Sequence, residues 1–237
     1  MSISILYYKV TPEKISSAQL YELINYWSEE LPAEKREQIS KLRQQSDQVL
    51  SLAGLQLLKI GMAQFTDIPF SLKQLQFPAK NKPFFDGDFD FNISHSGNIA
   101  ICAISNNMKI GIDIELQRQI KSTTINKFVL ENKNKTGKSE NKNKQQFFEL
   151  WTKNEAIIKA ANHGSIFTMH EISHQNQGGL YQDHFWYTYP VNINTTDNHS
   201  SDINKEYTCH IACSEKITGN ELKKIKPKQI HNISKGS

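Results

Sequence analysis

The order of apolar and polar positions in the first part of the chain predicts a strand followed by an amphipathic helix. Residues 3–10 are mostly aliphatic or aromatic, which predicts a strand. Thr11 and Pro12 supply a helix N-cap and a proline suited to the first helical position, so we predict that a helix begins there. Apolar side chains then recur at steps of three and four residues and predict its buried face: Leu20, Leu23, Ile24, Trp27 and Leu31.

A second helical pattern covers residues 33–65 and is interrupted near residues 44–46. Its predicted inward positions are apolar: Ile39, Leu42, Val49, Leu52 and Leu57. Turn residues then precede three strand patterns, at residues 90–94, 98–105 and 109–115. Asn106 and Asn107 are predicted to form the hairpin turn between the last two of these strands.

The second half repeats this order of helix and strands. Residues 131–146, ENKNKTGKSENKNKQQ, have low complexity and predict a loop without fixed structure. We predict a helix over residues 145–161 and antiparallel strands at residues 178–189 and 205–214. The lysine-rich residues 221–237 are predicted to fray into solvent as a flexible tail.

This repetition predicts an α+β fold of two similar halves. We place the boundary so that residues 1–106 form the first half and residues 107–237 the second. A chain of 237 residues is long enough for one substantial core or for two small cores in contact. A ligand cleft is expected where two such halves meet.

Composition narrows the class of protein. The chain is 38% hydrophobic and has no run of about 18 apolar residues, which argues against an integral membrane protein. Its first residues lack the pattern of an export signal, and its three cysteines lack the spacing of a zinc site or a disulfide framework. We therefore expect a cytoplasmic protein. The net charge of +4 favours acidic partners without choosing among nucleic acid, anionic lipid, a polyphosphate ligand and an acidic protein.

The pentapeptide at residues 111–115, GIDIE, is the most informative chemical feature. Side chains two apart in a strand point the same way, so Asp113 and Glu115 project together while Ile112 and Ile114 face the other side. Two neighbouring carboxylates repel each other unless a cation neutralises them, and a hard divalent metal ion does this well. Taken alone, the pair is equally compatible with a polar strand face in solvent.

The helix predicted over residues 145–161 carries a matching set of side chains. Trp151, Glu155 and Lys159 are spaced by four residues and therefore lie on one helical face. In isolation this pattern describes a buried tryptophan beside an ordinary ion pair. Together with the strand pair, Glu155 adds a third carboxylate, which would complete a Mg²⁺ site with Lys159 in position to meet a phosphate.

A third segment, FNISHSG at residues 91–97, is suited to hold phosphate. Ser94 and His95 lie at the end of a predicted strand, and Gly97 follows them in a turn with accessible backbone N–H groups. The alternative is that His95 is an ordinary surface or packing residue.

These three segments, in this order, resemble the signature blocks of the 4′-phosphopantetheinyl transferase family. The resemblance is to the longer, two-lobed class that activates peptide and polyketide synthetases, and it extends more loosely to EKRE at residues 34–37 and to residues 82–83. It implies a monomer with two halves related by a pseudo-twofold axis. It also implies transfer of the 4′-phosphopantetheine group of coenzyme A to a serine of an acyl or peptidyl carrier protein, with release of 3′,5′-ADP. The carrier could serve fatty-acid, polyketide or nonribosomal-peptide synthesis.

The resemblance also implies roles for individual residues. The implied Mg²⁺ ligands are Asp113, Glu115 and Glu155. The implied catalytic residues are Glu155, Lys159 and His95, and Lys159 would contact the pyrophosphate. The implied contacts to coenzyme A are Lys35, Lys82, Ser94, His95 and Lys159.

The chain departs from the family pattern in places. Asn154 replaces a usual lysine, with Lys153 one place earlier, and Leu50 replaces a frequent arginine. The base that accepts the serine proton stays open among a metal-bound hydroxide, Glu155 and a glutamate of residues 131–146. These departures leave one alternative, a non-catalytic homologue that binds carrier proteins.

Residues 116–146 hold eight basic and two acidic residues, which we predict to attract an acidic carrier protein. They lack the interleaved aromatic residues of a nucleic-acid-binding segment, so we expect neither a nucleic-acid partner nor a membrane partner. An idle, solvated loop is the open alternative for the low-complexity part of this segment.

Overall fold

The computed structural model describes residues 2–11, 16–78, 81–131, 140–163, 166–193, 206–218 and 226–231. They fall into two compact units: one combines the residues up to Met108 with those after Thr218, and the other is Lys109–Thr218. Each unit contains a long helix packed on a sheet, so the predicted α+β fold class is confirmed. None of the helices within these described ranges is long and apolar enough to cross a membrane.

The first unit is built on a four-stranded sheet. Its strands are β1 (Ile3–Lys9), β2 (Phe89–Ser96), β3 (Ile99–Asn106) and β9 (Lys228–Gln229), in the order β2-β3-β1-β9. The β2–β3 and β3–β1 pairs are antiparallel, and β9 pairs with β1 in parallel. The sequence analysis expected the tail to fray, but the two residues of β9 pair with β1, and the Tyr7 hydroxyl donates to Gln229 Oε1 over 3.1 Å.

The described residues of this unit form three α-helices, α1 (Ser17–Glu29), α2 (Ala33–Ser40) and α3 (Gln45–Phe65), and a short 3₁₀ helix at Leu72–Gln74. The predicted break near residues 44–46 is confirmed as the boundary between α2 and α3. Helix α1 begins later than predicted, because Ser16 and Gln19 form a capping box that satisfies backbone N–H groups at its start. The expected start at Pro12 lies outside the described residues.

The core of the first unit lies between the helices and the sheet. Ile24, Trp27 and Leu31 are buried as predicted, and Leu20 and Leu23 pack against them. In the second helical pattern, the predicted inward positions are also buried, with one exception among Ile39, Leu42, Val49, Leu52 and Leu57. Leu42 is 36% exposed, because it lies in the break after α2 and not on a helical face.

The second unit is built on a five-stranded antiparallel sheet. Its strands are β4 (Ile110–Leu116), β5 (Ser173–Gln175), β6 (Gly178–Tyr181), β7 (His184–Pro190) and β8 (Tyr207–Cys213), in the order β4-β8-β7-β6-β5. Helices α4 (Ser122–Glu131) and α5 (Glu140–Ala161) complete the unit. Helix α5 packs on the sheet through a buried strip that includes Ala156, Ile157 and Ala160.

The predicted hairpin at Asn106 and Asn107 is wrong. β3 already has β2 on one side and β1 on the other, so β4 has no edge of β3 with which to pair, and it pairs instead with β8. Asn107 adopts a positive φ of 62° in the connection between the two units. The hairpin in this region is the one between β2 and β3, where Gly97 supplies the left-handed conformation with a φ of 59°.

The predicted loop at residues 131–146 is wrong in its last part. Helix α5 begins at Glu140 instead of residue 145, and α4 extends to Glu131; residues 132–139 lie outside the described part of the chain. Glutamate, lysine and glutamine are good helix formers, which offsets the low complexity of residues 140–146. Gln145 Nε2 also donates to Glu149 Oε1 one turn later, at 3.0 Å.

Candidate functional site

Strand β4 presents two carboxylates on the face that meets helix α5. Ile112 and Ile114 are buried on the opposite face, as the alternation of the sequence predicted. Asp113 is 4% exposed, and Glu115 is more accessible. Gly111 lies on the same face as the carboxylates, and a Cβ atom at this position would meet the backbone of Ala156 and of Ala160. The missing side chain therefore lets α5 lie directly against the strand.

This close approach brings Glu155 and Lys159 to the carboxylates of β4. Lys159 Nζ lies 2.6 Å from Asp113 Oδ1 and 3.5 Å from the carbonyl oxygen of Ile112. Burial raises the pKa of Glu155, Asp113 and Glu115 raise it further through their negative charge, and Lys159 lowers it. Three carboxylates and one ammonium group of the second unit are therefore in electrostatic contact.

Strand β8 places two polar side chains beside these carboxylates. In the antiparallel register, His210 lies directly across from Asp113, and Thr208 lies across from Glu115. His210 Nδ1 is 2.7 Å from Thr152 Oγ1 on α5, while Thr208 Oγ1 accepts a hydrogen bond of 3.0 Å from Gln117 Nε2. Burial lowers the pKa of His210 to about 3, and the charge of Lys153 contributes to this shift.

Neither His210 nor Thr152 was predicted as a site residue from the sequence. No local pattern marks either residue, because their proximity to the carboxylates depends on the register between β4 and β8 and on the packing of α5. Lys153 lowers the pKa of both His174 and His210, so it lies on the side of α5 near these imidazoles. The neighbouring Asn154 is fully buried.

The donor chemistry of the carboxylate cluster fits a hard divalent cation. Within the described ranges, no three His, Cys, Asp or Glu side chains stand in a ready-made arrangement around a metal position. Mg²⁺ binds through carboxylate oxygens and usually keeps several of its waters, so it does not need a full set of protein ligands. Burial is the main cause of the raised pKa of Glu155, and the negative charges of Asp113 and Glu115 add to it; a cation beside the three carboxylates would offset both effects.

The first unit holds the other predicted site residues. Lys35 and His95 line an open cavity of about 200 Å³ whose wall includes Phe77, Pro83 and Leu55. Lys35 Nζ lies 5.0 Å from the centroid of the Phe77 ring and 3.4 Å from Gln38 Oε1. Burial lowers the pKa of Lys35. The cavity thus combines an aromatic surface with a partly desolvated cation and an imidazole.

Lys82 and Ser94 lie in the same unit but are not among the side chains that line this cavity. Lys82 Nζ lies 2.6 Å from Asp90 Oδ2, and both side chains of this ion pair are only about a tenth exposed. Ser94 is buried, and strand alternation places it on the face of β2 that also carries Asp90 and Asn92. The sequence analysis did not anticipate Asp90 as the partner of Lys82.

Two family models match the chain. A model described as 4′-phosphopantetheinyl transferase, N-terminal, matches residues 21–107, and a model of the 4′-phosphopantetheinyl transferase superfamily matches residues 109–212. The boundary between the two matched regions coincides with the boundary between the two compact units at Met108.

Several curated proteins are similar to the chain. The 4′-phosphopantetheinyl transferase gsp of Aneurinibacillus migulanus is 29% identical over 238 residues, which cover 98% of this chain and 94% of that protein. The 4′-phosphopantetheinyl transferase Sfp of Bacillus subtilis is 29% identical over 182 residues, covering 73% of this chain and 75% of that protein. The L-aminoadipate-semialdehyde dehydrogenase-phosphopantetheinyl transferase of Mus musculus is 30% identical over 156 residues, covering 59% of this chain and 50% of that longer protein.

Proposed function

Because the chain belongs to the 4′-phosphopantetheinyl transferase superfamily, we propose that Asp113, Glu115 and Glu155 hold a Mg²⁺ ion used in its reaction. The chain is a transferase that moves the 4′-phosphopantetheine group of coenzyme A to a carrier protein. The main support for the proposed metal site is that the carboxylates of β4 and α5 lie close to one another. The resemblance in the sequence and the crowding of charge in the fold support the same residues.

In the proposed reaction the serine Oγ of the carrier protein attacks the β-phosphate of coenzyme A. A new phosphodiester bond forms, the bond between this phosphorus and the bridging oxygen breaks, and 3′,5′-ADP leaves with that oxygen. Mg²⁺, when bound, would offset the negative charge of the pyrophosphate. Lys159 adds a second positive charge on the same face of α5, where it now balances Asp113.

We propose Glu155 as the group that takes the serine proton. The resemblance implies a catalytic role for Glu155, and its carboxylate lies within electrostatic range of Lys159, the proposed phosphate contact. A metal-bound hydroxide and a glutamate of residues 131–146 are the other two candidates. Replacement of Glu155 by Gln tests the first candidate against the other two, because it removes this proton acceptor while keeping an oxygen ligand.

The cavity of the first unit is the proposed site for the phosphoadenosine end of coenzyme A. The Phe77 ring offers an apolar surface for the base, and Lys35 and His95 offer donors for phosphate oxygens. His95 would also act in catalysis by neutralising phosphate charge. Lys82 and Ser94 are proposed as further contacts, and Lys82 would exchange part of its bond to Asp90 for the ligand.

The remaining aspects of function are proposals of the same kind. We propose that the partner is an acyl or peptidyl carrier protein and that the chain acts as a monomer in the cytoplasm, without nucleic-acid or membrane partners. The alternative that the sequence left open is a non-catalytic homologue that binds carrier proteins; it was supported by Asn154 in place of a usual lysine and by the lack of a base glutamate in the family's register. The similar proteins named as transferases favour catalysis.

Incubation of the protein with an apo-carrier protein and fluorescent coenzyme A tests this proposal. We expect a labelled carrier whose mass has increased by the modified phosphopantetheine, with Mg²⁺ and not with a chelator. Asp113→Asn should remove most of this activity, whereas Glu37→Gln, an exposed charge change in the first unit, should not. Carrier binding without any labelling in the presence of Mg²⁺ would favour the non-catalytic alternative.

A further inference from the structure

A buried hydrogen bond joins α5 to the strand beside the carboxylates. Thr152 Oγ1 and His210 Nδ1 are 2.7 Å apart, and the two residues are 0% and 4% exposed. Polar groups buried to this degree carry a cost unless they are hydrogen-bonded to each other or to other partners. The bond between Thr152 and His210 therefore satisfies two buried polar groups that would otherwise carry this cost.

The hydrogen-bond geometry assigns the proton on the imidazole. Thr152 Oγ1 also lies 2.8 Å from the carbonyl oxygen of Phe148, which can only accept. Since a hydroxyl group has one proton, both short contacts are hydrogen bonds when Thr152 donates to Phe148 and His210 donates from Nδ1 to Thr152. The ring then donates to α5 in its neutral form, which agrees with the lowered pKa of His210.

The bond lies next to the proposed metal ligands on both elements. His210 is directly across from Asp113 in the register of β4 and β8, and Thr152 precedes Glu155 by three residues on α5. On the other side of Glu155, Gly111 lets the backbone at Ala156 and Ala160 contact β4. The segment of α5 that carries Glu155 is thus fixed to the sheet at two points, one before and one after this residue.

We propose that His210 is a positioning residue: its hydrogen bond to Thr152 holds α5 in the rotation that directs Glu155 toward Asp113 and Glu115. This inference deepens the proposed function and rests on it. Without this bond, the segment before Glu155 would lose one of the contacts that fix the rotation of α5, so Glu155 would be directed less accurately at the carboxylates of β4. Residues that orient metal ligands from behind commonly change metal affinity or activity by about 10–100-fold when they are replaced.

Paired substitutions test this role. Thr152→Val and His210→Ala each remove the bond, Thr152→Ser keeps the hydroxyl group, and His210→Asn keeps a donor near the position of Nδ1. The matched control is Thr168→Val, which removes a 2.8 Å hydroxyl contact to Tyr181 elsewhere in the same unit. Each variant is measured for its melting temperature, its Mg²⁺ half-saturation in the transfer assay, and its direct binding of Mn²⁺ by electron paramagnetic resonance.

We expect Thr152→Val and His210→Ala to weaken Mn²⁺ binding and to raise the Mg²⁺ half-saturation by about 10-fold. Thr152→Ser and His210→Asn should recover most of the loss, and the double variant Thr152→Val/His210→Ala should be no worse than either single variant, because both remove one bond. Thr168→Val should lower the melting temperature while both metal measurements stay within about twofold of the unsubstituted protein.

Two outcomes would overturn the inference, and they can be told apart. If the unsubstituted protein is active with Mg²⁺ but Thr152→Val shifts the metal measurements no more than Thr168→Val, the pair is structural and His210 does not position Glu155. If the unsubstituted protein neither transfers phosphopantetheine nor binds Mn²⁺, the proposed function itself is wrong, and the positioning role is lost with it.

Discussion

Replacement of Gly111 by Ala should damage the proposed active site far more than it damages the fold. The added methyl group would lie 3.0 Å from the carbonyl carbon of Lys159 and would meet the Ala156 oxygen and the Ala160 nitrogen even more closely. Carbon atoms in ordinary contact are about 3.5–4.0 Å apart, so α5 must move away from β4 by roughly 1 Å. Backbone atoms cannot rotate aside as a side chain can, so the helix moves as a whole.

A displacement of this size sets the expected magnitudes. Overpacking of a well-packed interior costs about 1–3 kcal/mol, and each kcal/mol lowers the melting temperature of a protein of this size by about 2–4 °C. The shift of α5 would strain the 2.6 Å bond between Lys159 and Asp113 and move the Glu155 carboxylate away from the carboxylates of β4. Misplacement of a catalytic group by about 1 Å can cost roughly 100-fold in rate, so kcat should fall about 100-fold while the protein stays folded.

The assay compares thermal melting with the Mg²⁺ dependence of transfer. Gly61→Ala is the matched control, because a methyl group there would meet the ends of two flexible side chains, Ile104 and Leu6, in the first unit. Alanine also favours the interior of α3 by about 1 kcal/mol over glycine, which offsets the crowding. A folded Gly111→Ala protein with unchanged kcat and Mg²⁺ half-saturation would refute the argument that close approach of α5 builds the site.

Further predictions concern charge. Because the pKa of Glu155 is raised, the native state binds this proton more tightly than the unfolded state does. The resulting contribution to stability is present at low pH and is lost as the pH rises through the raised pKa. Glu155→Gln should abolish this trend in melting temperature, and an unchanged trend would contradict the raised pKa of Glu155. Lys82→Ala should lower the free energy of unfolding by about 3 kcal/mol, because the nearly buried Asp90 carboxylate loses the ammonium group of Lys82. If Lys82 binds the ligand, Lys82→Ala should also raise KM for coenzyme A, whereas Asp90→Asn should not. Lys159→Ala should lower kcat by about 100-fold, whereas Lys153→Ala should have little effect. Equal losses in steady-state assays would show that the site does not lie on the face of α5 that carries Lys159.

The sequence predicted those features of the site that follow from local periodicity. Alternation along β4 was enough to pair Asp113 with Glu115, and the spacing of α5 was enough to place Glu155 and Lys159 on one face. The meeting of these two elements followed from the resemblance, since periodicity does not say which helix packs on which strand. Gly111 is the residue that permits this meeting, but its role is visible only once α5 is in place.

Features that depend on pairing between distant segments were missed. The hairpin at Asn106 was predicted from good turn residues, but the choice of partner for β4 depends on β8, roughly a hundred residues later in the chain. His210 was overlooked for the same reason. The loop expected before residue 145 was wrong for a different reason. Low complexity describes only the composition of a segment, and the lysine, glutamine and glutamate residues at the start of α5 are good helix formers.

The return of the chain to β1 at its end has a consequence for synthesis in the cell. Tyr7 and Gln229 are bonded across 222 positions of sequence, and the whole second unit is translated between the two strands that they join. Ribosomes add about 5–20 residues per second, so β9 is synthesised on the order of ten seconds after Met108, and until then it cannot pair with β1. During that interval the edge of β1 at Leu6 and Tyr7 lacks its β9 partner and can serve as a template for pairing with other nascent chains. A stop codon shortly after residue 218 would make this interval permanent, so truncated chains should aggregate even though they retain every proposed catalytic residue.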